Sequence, residues 1–143
     1  MPPTFRSRAQ PTRRDQNREA DQRRGSARER GYDSRWDAAS RSFTARHPLC
    51  RYCEVGAWGD PPRVQVSTLT DHLYPPRLFG GVFWVKRLWV PACATCNSRK
   101  VATERQGLAA LDRLAALIGW PTLATLREVA REGGGSKLQG PAA

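Results

Sequence analysis

The first 48 residues of this chain contain no leucine, isoleucine or valine. A stretch that lacks these core-forming side chains cannot bury enough apolar surface to fold on its own. Residues 1–30 hold instead nine arginines against four acidic residues. We therefore predict that residues 1–31 are a disordered, arginine-rich arm, which adds a sequence-independent attraction to phosphates that weakens as salt rises. A merely solubilising tail is the alternative.

The sequence also lacks any apolar run long enough to span a bilayer, which excludes a transmembrane protein and a membrane partner. No apolar segment of the kind found in secretion signals follows the N-terminal Met-Pro-Pro-Thr, so we expect a cytoplasmic protein in a reducing compartment. A chain of 143 residues has room for one small domain with tails. The glycine-containing residues 133–143 are predicted to be a flexible tail.

Positive charge dominates the composition. Of 24 basic residues 21 are arginine, and the formal net charge is +11 with a pI near 10.7. Such a chain attracts polyanions. Arginine makes forked contacts to phosphate oxygens, which favours nucleic acid over acidic lipid as the partner. Solubility alone is the alternative explanation of the charge.

All four cysteines lie in two Cys-x-x-Cys pairs, Cys50 with Cys53 and Cys93 with Cys96. Each pair places two thiolates on one side of a tight loop, at a spacing that suits adjacent corners of a zinc tetrahedron. The sequence therefore predicts one structural zinc ion held by four cysteines. Two disulfides, or one redox-active pair in a thiol redox protein, are the alternatives, and the missing secretion signal argues against disulfides.

Aromatic residues at helical spacing predict a helix that runs from Tyr32 to the His47-Pro48 pair, with Asp33 or Ser34 as its N-cap. The first pair of cysteines follows directly.

Two strands and further helices are predicted beyond the first cysteine pair. Alternating apolar and polar residues indicate a strand over 64–70, and an aromatic and aliphatic run indicates a second strand over 82–90. Regularly spaced leucines then predict helices within 107–132, the first of which ends at Pro121.

A second cluster of polar residues accompanies the cysteines. Asp71 and His72 lie between the two cysteine pairs, and Asn97 directly follows the last cysteine. Carboxylate and amide oxygens are hard ligands that hold Mg²⁺ or Mn²⁺, and a neutral imidazole suits proton abstraction near physiological pH. The sequence thus predicts a catalytic cluster separate from the sulfur site.

Three segments of the chain resemble the HNH endonucleases, in particular the small zinc-clipped type of bacteriophages and bacteria. The segments are Thr70-Asp-His-Leu, Cys93-Ala-Thr-Cys-Asn-Ser-Arg-Lys and Thr103-Glu104. The preceding residues Gly31-Tyr32, Trp36, Phe43 and His47-Pro48-Leu49-Cys50-x-x-Cys53 also resemble the lead-in of such phage proteins. The resemblance covers residues 31–106. It implies a small α+β fold with a ββα-metal core, in a domain spanning 32–132 that has its core at 50–106 and C-terminal helices at 107–132.

The resemblance also implies a role for each residue of the cluster. His72 would be the general base that takes a proton from water, while Asp71 and Asn97 would hold one divalent catalytic metal ion. Arg99 and Lys100 would bind the phosphate backbone. The implied activity is metal-dependent hydrolysis of phosphodiester bonds in double-stranded DNA, in the service of phage packaging, restriction or mobile-element movement.

The chain departs from the family at the middle position of its motif, where an Asn normally braces the loop that carries the base. Leu88 occupies this position, so the loop must be held by packing among Phe83, Trp84 and Trp89 if the protein is active. A non-catalytic, zinc-dependent nucleic-acid-binding module is the alternative function. Glu104 is predicted to be a salt-bridge partner on the face of a helix.

Overall fold

The structure is a computed structural model that describes residues 10–132. Within this range the chain forms six α-helices and one antiparallel pair of strands. In chain order these elements are α1 (Arg13–Arg24), α2 (Ser34–Arg46), α3 (Arg51–Val55), β1 (Leu69–His72), β2 (Trp89–Ala92), α4 (Ala94–Gln106), α5 (Leu108–Ile118) and α6 (Leu123–Glu132). The described part of the chain divides into two compact units, with the boundary between Asp37 and Ala38.

Helix α1 lies within the arm that the sequence predicts to be disordered, and the structure describes Arg13–Arg24 as helical. The Thr12 hydroxyl accepts a hydrogen bond from the backbone N–H of Asp15, and the Asp15 carboxylate accepts one from the backbone N–H of Thr12 at 3.0 Å. This capping box satisfies two free donors, and the arginines and glutamines that follow are good helix formers. Residues 1–9 and 133–143, including the predicted flexible tail, lie outside the described residues.

The first predicted helix is confirmed as α2. The carboxylate of Asp33 caps it by accepting a hydrogen bond from a backbone N–H of the first turn at 3.0 Å. Later residues of α2 cover one face of the β-hairpin. Phe43 packs edge-on against Trp89, with ring centroids 5.7 Å apart, and the Ser40 hydroxyl donates to the Thr70 hydroxyl at 2.8 Å.

Strands β1 and β2 form an antiparallel pair in which Leu69 lies opposite Ala92 and His72 lies opposite Trp89. The end of β1 therefore presents Asp71 and His72 next to the start of β2. Cys93 follows β2 directly, so the hairpin connects the predicted catalytic cluster to the second cysteine pair.

Both strands differ from the predicted ones. Residues 64–68 stay outside β1 because no layer covers their apolar side chains: Val64 is 79% exposed and Val66 is 61% exposed. Val66 makes an isolated bridge to Leu49 instead. Residues 82–88 form turns and a short 3₁₀ helix, and the strand starts only afterwards. Alternation of residue types does not reveal whether a covering layer exists, so the strand predictions for these two segments are wrong.

The second face of the hairpin packs against α3 and α4, and α5 packs on both of these helices. Helices α5 and α6 confirm the predicted helical region. Helix α5 ends at Gly119, whose left-handed backbone with φ of +76° closes it, rather than at Pro121. The buried apolar core includes Tyr52, Leu73, Tyr74, Leu88, Val90, Leu111, Leu114, Ile118 and Leu126.

The small α+β class predicted from the sequence is confirmed. Among residues 10–132, no helix combines the length and the apolar character that crossing a lipid bilayer requires.

Candidate metal centre and active site

The four cysteines form one buried cluster, and all four are free thiols. Their sulfur atoms lie within 4.8 Å of one another, and Cys53 Sγ lies 3.5 Å from Cys96 Sγ. Cys50 is the N-cap of the short helix α3 and Cys53 lies within that helix, whereas Cys93 is the N-cap of α4. The prediction that the two pairs meet is therefore confirmed, and in the described part of the chain this cluster could hold a metal ion such as zinc.

The electrostatics of the cluster favour a bound cation. Burial raises the pKa of the Cys50 and Cys96 thiols. Four thiolates this close together in the interior would repel one another, and a divalent cation at their centre would stabilise the ionised form.

Two side chains around the cluster suit thiolates rather than neutral thiols. The indole N–H of Trp58 is buried and has no hydrogen-bond partner among the described residues. It lies close enough to Cys96 to counteract part of the rise that burial causes in the pKa of that thiol. The Arg63 guanidinium approaches Cys53, which raises the pKa of Arg63. A metal-bound thiolate would give the Trp58 N–H an acceptor, so the surroundings fit a metal held by four sulfur atoms.

Asp71 is buried on the α3 and α4 side of the hairpin. Its carboxylate accepts a hydrogen bond from the Tyr52 hydroxyl at 2.6 Å and faces the Lys100 ammonium at 2.9 and 3.1 Å. Burial raises the pKa of Asp71, while Lys100 and Tyr52 counteract this by stabilising the carboxylate. Asp71 is therefore a paired, hydrogen-bonded carboxylate in the interior.

Lys100 has no exposed surface. Its ammonium donates to Asp71, to the backbone carbonyl oxygen of His72 and, at 3.1 Å, to Glu104. Arg99 differs, because its side chain is 42% exposed and pairs with Asp60. The expectation of a phosphate contact by Lys100 is corrected by this geometry, since a fully buried ammonium does not reach a DNA backbone. Arg99 stays a candidate phosphate ligand.

His72 lies in an aromatic pocket on the other side of the hairpin. Its ring centroid lies 4.6 Å from that of Phe83 and 6.4 Å from that of Trp89. The ring Nε2 lies 2.9 Å from the carbonyl oxygen of Phe83, and the Trp89 indole N–H donates to the same oxygen at 2.9 Å. A carbonyl only accepts hydrogen bonds, so Nε2 carries the proton and Nδ1 carries the lone pair of the neutral ring.

Burial lowers the pKa of His72 to about 4. The ring is therefore neutral at physiological pH. Phe83, Trp84 and Trp89 pack against one another around this pocket: the Trp84 ring lies 5.6 Å from Phe83 and 5.9 Å from Trp89. Leu88 itself is buried in the core and contributes packing there.

The three residues of the predicted catalytic cluster are distributed over two sides of the hairpin. Asp71 and His72 are consecutive in β1, and consecutive side chains of a strand point to opposite faces. Asn97 lies one turn before Lys100 on α4, so it belongs to the side of Asp71. The described contacts of Asp71 and of the His72 ring accordingly lie on opposite sides, and the structure does not bring the three side chains together around one point.

Sequence reasoning missed Tyr52, the hydroxyl donor to Asp71, because a tyrosine between two cysteines carries no functional signal. It predicted Glu104 as a salt-bridge partner, and this is confirmed by contacts to Lys100 at 3.1 Å and Arg77 at 2.9 Å. Comparison of the chain with protein families, with curated proteins and with solved structures found no match. A functional proposal therefore depends on the residues of this chain.

Proposed function

We propose that this protein is a metal-dependent endonuclease that hydrolyses phosphodiester bonds in DNA, with His72 as the general base and a structural zinc ion on the four cysteines. The observation that carries the proposal is the bond between His72 Nε2 and the Phe83 carbonyl, at the end of the strand that also presents Asp71. It fixes a neutral imidazole with its lone pair on Nδ1, and a general base needs such a lone pair to accept a proton.

The zinc ion would be structural. Four protein sulfur atoms complete a tetrahedron, which leaves no position for water or substrate. The ion would join α3 to the junction of β2 and α4. Structural zinc in comparable small modules supplies about 10–16 kcal/mol of apparent binding free energy, and a domain with so thin a core depends on such a contribution.

His72 would take the proton of the attacking water on Nδ1. The oxygen of that water then attacks phosphorus and the bond to the leaving oxygen breaks. The ring becomes positively charged in this step, and its N–H bond to the Phe83 carbonyl strengthens because the donor is now charged. The fixed bond to Phe83 also prevents the ring from rotating, so Nδ1 keeps one direction throughout the reaction.

Asp71 and Asn97 would hold the divalent cation, with hard oxygen atoms that suit Mg²⁺ or Mn²⁺. When bound, the cation stabilises negative charge on the phosphate and on the leaving oxygen. The donor set around Asp71 fits a cation, because the Lys100 ammonium already lies among oxygens of Asp71, Glu104 and the His72 backbone.

DNA is the partner that the charge supports. The formal net charge of +11 arises mainly from arginine, and Arg99 at the start of α4 is exposed. Contacts between exposed arginines and phosphates carry no sequence information, so we expect affinity that depends steeply on salt and little on sequence.

A non-catalytic, zinc-dependent nucleic-acid-binding module is the second candidate. Two observations favour it: the carboxylate of Asp71 is already paired with Lys100, and the His72 ring lies on the opposite side of the hairpin. Such a protein would bind DNA through its arginines and its fold would need zinc, but it would cut nothing.

A plasmid assay separates the two candidates. Zinc-loaded protein is incubated with supercoiled plasmid in Mg²⁺, Mn²⁺ or Ni²⁺, and binding is followed in parallel by gel shift. The endonuclease converts the plasmid to nicked or linear forms only with added metal. Binding without conversion in all three metals would establish the module instead.

A further inference from the structure

The ammonium of Lys100 lies against Asp71, the carboxylate to which the proposed function assigns a divalent cation. We propose that Lys100 is an internal cation that holds the Asp71 carboxylate in place until a divalent metal ion displaces it. This inference rests on the proposed function, since it concerns the same cation site. It assigns to Lys100 a role as a positioning residue.

The surroundings of the Lys100 nitrogen account for all three of its protons. Asp71 accepts at 2.9 Å, Glu104 accepts at 3.1 Å and the backbone carbonyl oxygen of His72 accepts the third proton. The side chain is completely buried. A buried ammonium is stable only when its charge is paired and its donors are satisfied, and this one meets both conditions.

The same oxygens form a donor set for a hard metal ion. Two carboxylates and a main-chain carbonyl are the ligands that Mg²⁺, Mn²⁺ and Ca²⁺ use in proteins. The Tyr52 hydroxyl fixes one oxygen of Asp71 at 2.6 Å, and Arg77 fixes the second oxygen of Glu104 at 2.9 Å. Both carboxylates thus keep their orientation with respect to the cation between them.

The ammonium and a divalent ion cannot share these oxygens. Two positive charges in contact with one buried carboxylate repel each other strongly where solvent does not screen them. The metal ion must therefore move Lys100 away from Asp71. The stem of lysine is long and flexible, so the ammonium can move without a change in α4. A phosphate contact by Lys100, which the buried position rules out, becomes possible only after this displacement.

Acylation of the wild-type protein tests the displacement directly. Zinc-loaded protein is treated with N-hydroxysuccinimide acetate at increasing Mn²⁺, and modification of Lys100 and of the partly exposed Lys86 is measured by mass spectrometry. Mn²⁺ occupancy is followed by electron paramagnetic resonance. We expect saturating Mn²⁺ to raise the acetylation rate of Lys100 about tenfold or more, because its charge is then expelled from the interior, and to leave Lys86 unchanged. Protection of Lys100 at saturating Mn²⁺, or no Mn²⁺ binding at all, overturns the proposal.

Substitutions give an independent test of the competition. Lys100→Met removes the charge and keeps the apolar stem, so Mn²⁺ should bind about tenfold or more tightly than in the wild type. Adding Asp71→Asn should abolish this gain. Tyr52→Phe is the matched control, because it removes a neutral hydrogen bond from Asp71 and no positive charge. This variant should not bind Mn²⁺ more tightly than the wild type does.

Zinc content and circular dichroism verify that each variant is folded, and the acylation result stands by itself if Lys100→Met does not fold. An unchanged or weaker Mn²⁺ affinity in folded Lys100→Met contradicts the proposal. Failure of the nuclease proposal gives a different result. Release of Lys100 by Mn²⁺ without plasmid cleavage supports the displacement and contradicts the proposed nuclease function. Plasmid cleavage while Lys100 stays protected from acetylation supports the nuclease function and contradicts the displacement.

Discussion

The indole N–H of Trp89 donates to the carbonyl oxygen of Phe83 at 2.9 Å, and the same oxygen accepts the bond from His72 Nε2. Trp89 lies opposite His72 in the hairpin, so the strand pairing places the two donors side by side. The loop before β2 is thereby tied to the strand that carries the proposed base. Leu88, just before Trp89, fills the core.

Trp89→Phe should disturb the base without removing it. The substitution keeps an aromatic ring and deletes the donor to Phe83, so we expect a loss of about 1 kcal/mol in the free energy of unfolding and a plasmid-nicking rate reduced about tenfold. Denaturant unfolding and initial nicking rates measure the two effects. Trp84→Phe is the control, because Trp84 contributes ring contacts to the same pocket. A Trp89→Phe protein that is less stable but cuts at the wild-type rate would show that the carbonyl does not orient the base.

Cys93→Ser should lose zinc and fold together. Cys93 is the N-cap residue of α4 and would contribute one of four sulfur ligands. The apparent binding free energy of a structural zinc ion, about 10–16 kcal/mol, exceeds what a small core can replace. Zinc content by atomic absorption and the far-ultraviolet spectrum measure the result. Chelation of wild-type protein should give the same unfolded spectrum. A well-folded variant with full metal content would contradict the structural role of a zinc ion held by four cysteines.

Trp58→Phe should weaken zinc binding and preserve the fold at saturating zinc. The variant removes the buried N–H that lies near Cys96, and loss of an outer donor to a metal ligand reduces metal affinity by about 10–100-fold. Competition with a chromophoric chelator measures this affinity. Trp120→Phe is the matched control, because its indole N–H bonds to the Trp89 carbonyl and not to the cluster. Equal zinc affinities in the two variants would mean that Trp58 packs against the site without supporting it.

The stability of the domain should depend on the protonation of His72 in acid. Burial lowers the folded-state pKa from 6.5 to about 4, so between these values the unfolded chain binds a proton that the folded chain does not. The stability from the neutral ring is complete above about pH 6.5 and declines by roughly 3 kcal/mol as the pH falls to about 4. Zinc loss also occurs in acid, so the measurement is the difference in unfolding free energy between wild type and His72→Asn across this range. Parallel curves would show that His72 titrates normally in the folded state.

The sulfur site could be predicted almost completely from the sequence, because the spacing within each Cys-x-x-Cys pair fixes its local geometry. The helices around it could also be predicted from apolar spacing, as at Phe43 in α2. The strands could not: Val64 and Val66 alternate with polar residues as a half-buried strand does, yet both are exposed. Alternation identifies candidate faces, but tertiary packing decides which of them is covered.

The candidate active site was predicted less well, for two physical reasons. Side chains alternate between the two faces of a strand. The consecutive residues Asp71 and His72 of β1 therefore place their side chains on opposite faces. The burial of Lys100 gives no sequence signal, because a lysine beside Arg99 near a helix start reads as surface charge. Glu104 lies one turn further along α4, but the partner Asp71 becomes visible only when the hairpin and α4 are packed together.

Initial rates of plasmid nicking by His72→Ala and His47→Ala, both zinc-loaded and assayed in Mn²⁺, test the central claim most directly. His47 is the other histidine of the chain and is exposed, so its replacement controls for the loss of an imidazole as such. We predict that His47→Ala cuts at the wild-type rate. His72→Ala should bind DNA normally but nick it at about one hundredth of the wild-type rate or below. Cleavage by folded His72→Ala at the rate of the wild type would contradict the assignment of the base.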